Sequence, residues 1–275
     1  MKYCDLHNHS IYSDGSKTPR ELILLAKEKN LDAIALTDHN TIGGLADLEA
    51  CAKELALDVV LGSELTCEYI GKEIHMQCLF IDLKRTQGME KYIEAIRKIK
   101  RKANCDLARA LSRDGYEISL TELEERFGEN VNRSHFARVL TEKGYTQSSD
   151  EAFATILKEG GGYYLGSLRP QALDTIKAIV SWGFVPVMAH PLLSLTKEEL
   201  ESFLPLAKAA GLVGIEVYYS KFTPEEIEYL NGVCEKYGLE PSGGSDYHAD
   251  MKPGAQMGDA RVPYSCYESL RKYAK

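Results

Sequence analysis

Short apolar runs alternate with amphipathic stretches along most of the chain. Lys2–Leu6 predicts a strand. Thr18-Pro19 then supplies a hydroxyl N-cap with proline in the first helical position, and Leu22, Leu25 and Ala26 have the spacing of an inner helical face. DAIALTDH reads as a buried strand running into polar residues, Leu45–Leu57 as an Ala/Leu-rich helix, and DVVLGSELT as a third strand ended by Glu64. YIGKEIHMQCLFID reads as a hairpin turning at Gly71. Strand patterns vanish over residues 90–160. KYIEAIRKIKRKANCDLARALSRDG, SLTELEERFG, SHFARVLTEKG and SDEAFATILKEG have helical periodicity, each ended by glycine. The glycines at 160–162 mark a return to alternation. GFVPVMAHP, GLVGIEVYY and GLEPSGGSDYH predict strands, with helices at Pro170–Ser181, Lys197–Ala210 and Pro224–Tyr237 between them. Repeated βα units predict an α/β parallel sheet or barrel. The expected division is a barrel over 1–99 and 166–275, interrupted by an all-helical insert over 100–165.

Length and composition keep the picture to a globular protein. The 275 residues are 44% hydrophobic and 27% charged. A net charge of -8 offers no general attraction for nucleic acid or anionic lipid, so a nucleotide would need local cations. The expectations are no stable DNA binding, no membrane association, and a monomer or small homo-oligomer. The start MKYCDLHNHS lacks the apolar region of a signal peptide, and no apolar run approaches a membrane span. The seven cysteines include no CxxC pair, which fits a cytoplasmic protein with reduced thiols.

The placement of histidines changes the picture. His7, His9, His39, His190 and His248 fall at or just past the ends of predicted strands, the edge where α/β barrels carry their sites. His75 begins the returning strand, opposite the end of the strand that carries Glu64. Asp14 follows the first strand, and Asp246 precedes His248 by two. Residues two apart on a strand share a face, so His7 with His9, and Asp246 with His248, could each chelate one ion. A single strand-end histidine is ordinarily a packed or solvated residue. Six of them gathered with three acids at one rim would leave buried charge unsatisfied unless cations were bound. Mixed imidazole and carboxylate donors suit Mn, Fe or Zn better than Mg or Ca. Asp5 and Asp38 stand close enough in sequence to orient an imidazole, without the sequence assigning them that role.

HNHSIYSDG, LTDHNT, GSELT, EIH, MAHP and SDYH resemble the motifs of the polymerase and histidinol phosphatase (PHP) family. The resemblance implies an irregular seven-stranded (β/α) barrel and phosphoester cleavage with two or three divalent ions. Mn is expected first, with Fe or Zn as alternatives. It implies nine ligands: His7, His9, Asp14, His39, Glu64, His75, His190, Asp246 and His248. Glu64 would bridge two ions, a hydroxide held between them at Glu64 and Asp246 would attack phosphorus, and Asp14, His39 and His248 would hold a third ion. NRSHFARVLTEKGYTQSSDEAFATILKEGGGYY is similar to the insert of the TrpH-like branch. That branch implies a small phosphorylated substrate, a nucleoside 3',5'-bisphosphate losing its 3'-phosphate or a short 5'-phosphorylated RNA. Arg133, Ser134, His135 and Arg138, near a helix start, are the expected substrate-binding group. Tyr163 and Tyr164 could stack on a base or simply pack. Three readings compete. A histidinol-phosphate type phosphatase fits the barrel but not the insert. A metal-dependent amidohydrolase shares HxH, yet its bridging lysine is replaced here by Glu64. A non-catalytic metal-binding module would not need the full ligand set.

Overall fold

The computed structural model describes residues 2–160, 162–166, 168–251 and 254–275; Gly161, in the expected return segment, lies outside them. The order is β1 (Tyr3–Asp5), α1 (Pro19–Glu28), β2 (Ala33–Leu36), α2 (Leu45–Leu55), β3 (Asp58–Tyr69), β4 (Lys72–Leu79) and α3 (Gln87–Arg113). The insert helices α4 (Leu120–Phe127), α5 (Arg133–Glu142) and α6 (Ser149–Ala154) follow. Then come α7 (Ala172–Trp182), β5 (Val185–Met188), the single turn α8 (Pro191–Ser194), α9 (Lys197–Ala210), β6 (Gly214–Tyr219), α10 (Pro224–Tyr237), β7 (Glu240–Gly244), β8 (Val262–Pro263) and α11 (Tyr264–Arg271). Thr18, Thr196 and Thr223 each cap a helix with the glutamate three residues on returning the bond, so α1, α9 and α10 begin at capping boxes.

The strands lie in the order β7-β6-β5-β4-β3-β2-β1-β8. β4 runs antiparallel to both β3 and β5, and the short β8 pairs antiparallel with β1. The ring closes between β1 and β7, where Leu6 N donates to Gly243 O at 3.0 Å and His9 N to Tyr247 O at 2.9 Å. These seven strands, plus the two-residue β8, are the irregular barrel. β3 runs to Tyr69, five residues past Glu64 where the sequence reading ended it. It does so because it pairs with β4 along the whole hairpin, from Gly62↔Leu79 to Tyr69↔Lys72.

Period-two alternation sorts the strand residues. Val59, Leu61, Leu65 and Cys67 of β3 join the layer between strands and helices, whereas Val60 belongs to the barrel interior with Leu6, Ala35, Leu79 and Val187. Cys266, Tyr267 and Leu270 of α11 seal the base of that interior. The inner-facing positions of β3 and β6 become polar toward the mouth: Val60, Gly62, Glu64 and Thr66, and then Gly214 and Glu216. The mouth's polarity is therefore built on an apolar floor. All seven cysteines are free, and five of them are buried. Among the described residues no helix is long and apolar enough to cross a membrane.

The insert has its own core, formed by Leu107, Leu111, Leu123, Phe136, Leu140 and Leu157 among others. α3 belongs to both bodies. Met89 and Ile93 pack in the barrel layer, Leu107 and Leu111 in the insert core. The expected boundary at 99/100 thus falls inside one unbroken helix. The helical periodicity runs through it without a cap or a breaker, so sequence alone offered no point of division.

Candidate metal centre

All nine expected ligands converge at the barrel mouth. Glu64 is fully buried and lies at the middle of them. Its Oε2 is 3.2 Å from His7 Nε2, 3.3 Å from His9 Nε2 and 3.0 Å from His39 Nδ1. Its Oε1 is 2.9 Å from His75 Nδ1 and 3.1 Å from His190 Nε2. Asp246 Oδ1 is 3.3 Å from His9 Nε2, and Asp14 Oδ1 is 3.2 Å from His248 Nε2. Three groups have ligand atoms within 4.8 Å of one another: His7, His9, Glu64 and Asp246; His9, Asp14, His39 and His248; and His39, Glu64 and His75.

The donors fit cations better than they fit each other. His39 Nδ1, His75 Nδ1, Asp14 Oδ1 and Glu64 Oε2 are buried and form no hydrogen bond, despite neighbours at about 3 Å. Burial works against charge on Glu64, but His75, His7 and His39 outweigh it and hold the carboxyl well below its usual range. Asp14 is likewise held low against burial, by His248 and His39. Burial also works against charge on His9 and His75, yet the acids around each raise it to about 9. The ionised acids thus draw protons onto His9 and His75, whereas burial holds His39 well below its usual range; divalent ions would supply positive charge without protons.

A second layer fixes the rings. His7 Nδ1 is 2.8 Å from Glu216 Oε1, an oxygen that also accepts from Gln77 Nε2 at 3.0 Å; Glu216 Oε2 accepts from His190 N at 2.7 Å. His75 Nε2 lies 3.2 Å from Glu73 Oε1, and His248 Nδ1 lies 2.8 Å from the Asp246 carbonyl. His9 Nδ1 is 3.4 Å from Ser13 Oγ, which donates to Asp38 at 2.5 Å. In each case the nitrogen on the far side is left to face the cluster. Tyr219 Oη donates to Asp246 Oδ2 at 2.8 Å, and burial pushes that phenol's pKa up, keeping it a donor. Asp5 touches no imidazole nitrogen. It accepts from the backbone amides of His7, Ser245 and Gly258 and so ties β1 to β7.

Backbone strain gathers here too. His190 and Asp246 have φ of 27° and 55°, a region non-glycine residues rarely occupy. β7 passes so near His7 that a Cβ on Gly244 would stand 2.4 Å from His7 Cβ, and only glycine allows that approach.

A cleft of about 850 Å³ opens from the ligands toward the insert, lined among others by Glu64, His75, Arg133, Ser134 and Arg138. His135 is not brought to it. Its ring is buried, stacks on Phe127 with centroids 4.5 Å apart, and accepts from Asn132 N at 3.1 Å as part of the α5 cap. It caps α5 and packs on Phe127, beside Ser13 and Asp14 of the barrel, instead of facing the cleft. Tyr164 lines the cleft with Arg133 4.7 Å above its ring, whereas the Tyr163 hydroxyl is bonded to Asp114. Sequence reasoning missed Glu216 and Glu73. Glu216 was detectable as the lone acid in the apolar strand GIEVYY, where a buried charge demands a partner.

A barrel mouth lined by six imidazoles and three carboxylates is that of a metal-dependent hydrolase. The model of the PHP domain family matches residues 5–166, more than half the chain, and the chain belongs to that family. It is 27% identical over 248 residues to the 5'-3' exoribonuclease of Haemophilus influenzae, covering 90% of each chain. It is 28% identical over 262 residues to the 3',5'-nucleoside bisphosphate phosphatase of Chromobacterium violaceum, covering 94% of this chain and 91% of that one. The crystal structure of a protein assigned as a metal-dependent phosphoesterase from Bifidobacterium adolescentis superimposes with a TM-score of 0.89 at 25% identity, covering 100% of this chain and 97% of that one. The protein is a metal-dependent phosphoesterase.

Proposed function

We propose that the protein hydrolyses a phosphomonoester of a nucleotide, first the 3'-phosphate of nucleoside 3',5'-bisphosphates, with short 5'-phosphorylated RNA as a further substrate. The observation that carries this reading is the cleft: it joins the ligand cluster to α5 and is roomy enough for a nucleotide. Relatives named for both substrates match nearly the whole chain. His7, His9, Glu64 and Asp246, then Asp14, His39 and His248, then His75 and His190, are the groups that would hold two or three ions. Mn is first choice, with Fe or Zn as alternatives. Bound divalent ions set positive charge against phosphate oxygens and lower the pKa of water at neutral pH.

The chain's own residues do the rest. Glu216, Glu73, Ser13 and the Asp246 carbonyl keep four imidazoles aimed at the cluster. Tyr219 keeps Asp246 Oδ1 turned toward His7 and His9. Arg133, Ser134 and Arg138 frame the far wall, where the rest of the nucleotide would lie, and Tyr164 offers a ring there. The test is phosphate release by Mn-loaded protein from a panel of nucleoside bisphosphates, nucleoside monophosphates, histidinol phosphate and short 5'-phosphorylated RNAs. The bisphosphates should give the highest kcat/KM. A preference for histidinol phosphate would overturn the reading.

A further inference from the structure

Carboxylates outnumber lysines and arginines along the cleft wall, and its arginines are already paired with acids. Arg133 lies 3.1 Å from Glu73 and 3.8 Å from Glu159. Arg138 pairs with Glu142 at 2.6 Å. Arg169, just behind, pairs with Glu73 at 2.7 Å and Glu159 at 2.8 Å. A substrate with two dianionic groups needs net positive charge for the group that the ligand cluster does not hold, and a guanidinium already paired to carboxylates supplies little.

Lys100 differs. It sits at the middle of α3, between the residues committed to the barrel layer and those committed to the insert core. It is half-buried and lines both the large cleft and a small crevice on the insert side. Among the described residues no carboxylate lies within 4 Å of its ammonium group, and it makes no hydrogen bond. Burial pulls its pKa down, and the surrounding acids do not offset that. A desolvated ammonium without a counter-ion is stabilised by an arriving anion, and it gives up no existing partner to bind one. Lys221 also reaches the cleft without an acid partner, but it is exposed, and its field is screened by water.

We propose that Lys100 is the specificity-determining residue of the cleft, the cation that receives the substrate phosphate not held by the ligand cluster. The inference rests on the nucleotide reading above. It assigns Arg133 and Arg138 to shaping the wall and Lys100 to supplying its charge.

The experiment compares Mn-loaded wild type with Lys100→Gln, Lys100→Arg and Lys221→Gln. The readout is the ratio of kcat/KM for a nucleoside 3',5'-bisphosphate to that for the matching nucleoside 3'-monophosphate. Lys100→Gln should lower the ratio about ten- to a hundredfold, chiefly through KM for the bisphosphate, and Lys100→Arg should restore most of it. An unchanged ratio in Lys100→Gln overturns the inference and leaves the nucleotide reading standing. A ratio that collapses in Lys221→Gln and not in Lys100→Gln overturns it as well. Wild type that turns over neither nucleotide overturns the nucleotide reading, and the inference falls with it. Each variant's circular dichroism spectrum separates a lost contact from a lost fold.

Discussion

At the barrel mouth, the ionisable side chains crowd against one another, buried, and several of their atoms lack a hydrogen-bond partner. In the insert, Arg101 pairs with Glu124, Arg126 with Glu142 and Lys143 with Glu122, all on solvent-facing sides of a separate apolar core. Exposed pairs of that kind contribute about 0–1 kcal/mol each, so the core holds the insert together. The mouth gives up local stability by crowding like groups. The insert's paired charges cost it little, because they stay in water, and Lys100 is its desolvated exception. That contrast separates a region shaped by chemistry from one shaped by folding, and it places the functional charge of the insert in what is left unpaired.

The sharpest way to break the comparison is to remove a cluster charge. Glu64→Gln or Asp246→Asn should cost at least about a thousandfold in phosphate release, since the donors that would gather the ions are lost. The circular dichroism spectrum should stay that of a folded chain. Activity near wild type in either variant would show that the mouth is not the site. Chelation should give the same loss. It should also speed amide exchange at the mouth while leaving protection at Leu107, Leu111 and Phe136 unchanged, because those amides belong to a core that touches no ligand. Equal loosening of both regions would make them one cooperative unit.

A smaller effect is expected one layer out. Glu216→Gln keeps an acceptor beside His7 Nδ1 but removes the charge that orients it, and metal affinity or activity should fall about ten- to a hundredfold. Titrating Mn into both proteins while following phosphate release measures it, and an unchanged midpoint would make Glu216 a packing residue.

The effect that leaves activity least touched belongs to the insert and is read as stability. Burial holds His135 at about 4 when folded, against about 6.5 when unfolded. Between those values the unfolded chain binds the extra proton. Stability from this group is therefore complete above about pH 6.5 and is lost as pH falls toward 4, by on the order of 2–3 kcal/mol. Amide exchange of the insert core should rise over that window in wild type and stay flat in His135→Asn. A parallel rise in both would assign the effect to other groups.

The sequence carried the mouth better than the insert for a physical reason. Ligands to one centre must be particular residue types at strand ends, and HNH, TDH, AHP and SDYH announce them one at a time. A partner such as Glu216 is visible only as an acid out of place in an apolar strand, and Lys100 is one basic residue in the run RKIKRK. Which lysine of that run lacks an acid is decided by the packing of α3 against two bodies at once, and no local pattern encodes it. Similarly, RSHFAR gives a helix start at Arg133, with Ser134 and Arg138 along the cleft, but it does not reveal that Asn132 and His135 cap one another.

The continuity of α3 also has a mechanical consequence. Twenty-seven residues of unbroken helix make a beam roughly 40 Å long, clamped in the barrel at one end and embedded in the insert at the other. The other connection, residues 155–171, contains no helix among its described residues and is fastened to β3 where Glu68 N bonds Pro170 O. Side-chain ties brace the insert between these two connections, since Asn130 Nδ2 donates to His39 O at 2.6 Å and Arg133 pairs with Glu73 at 3.1 Å. The strut is therefore a propped beam and not a free cantilever, held at its clamp and again where α5 meets the barrel. Lys100 lies at mid-span, between the clamp and the insert core, so the brace keeps its cation in register with the barrel mouth.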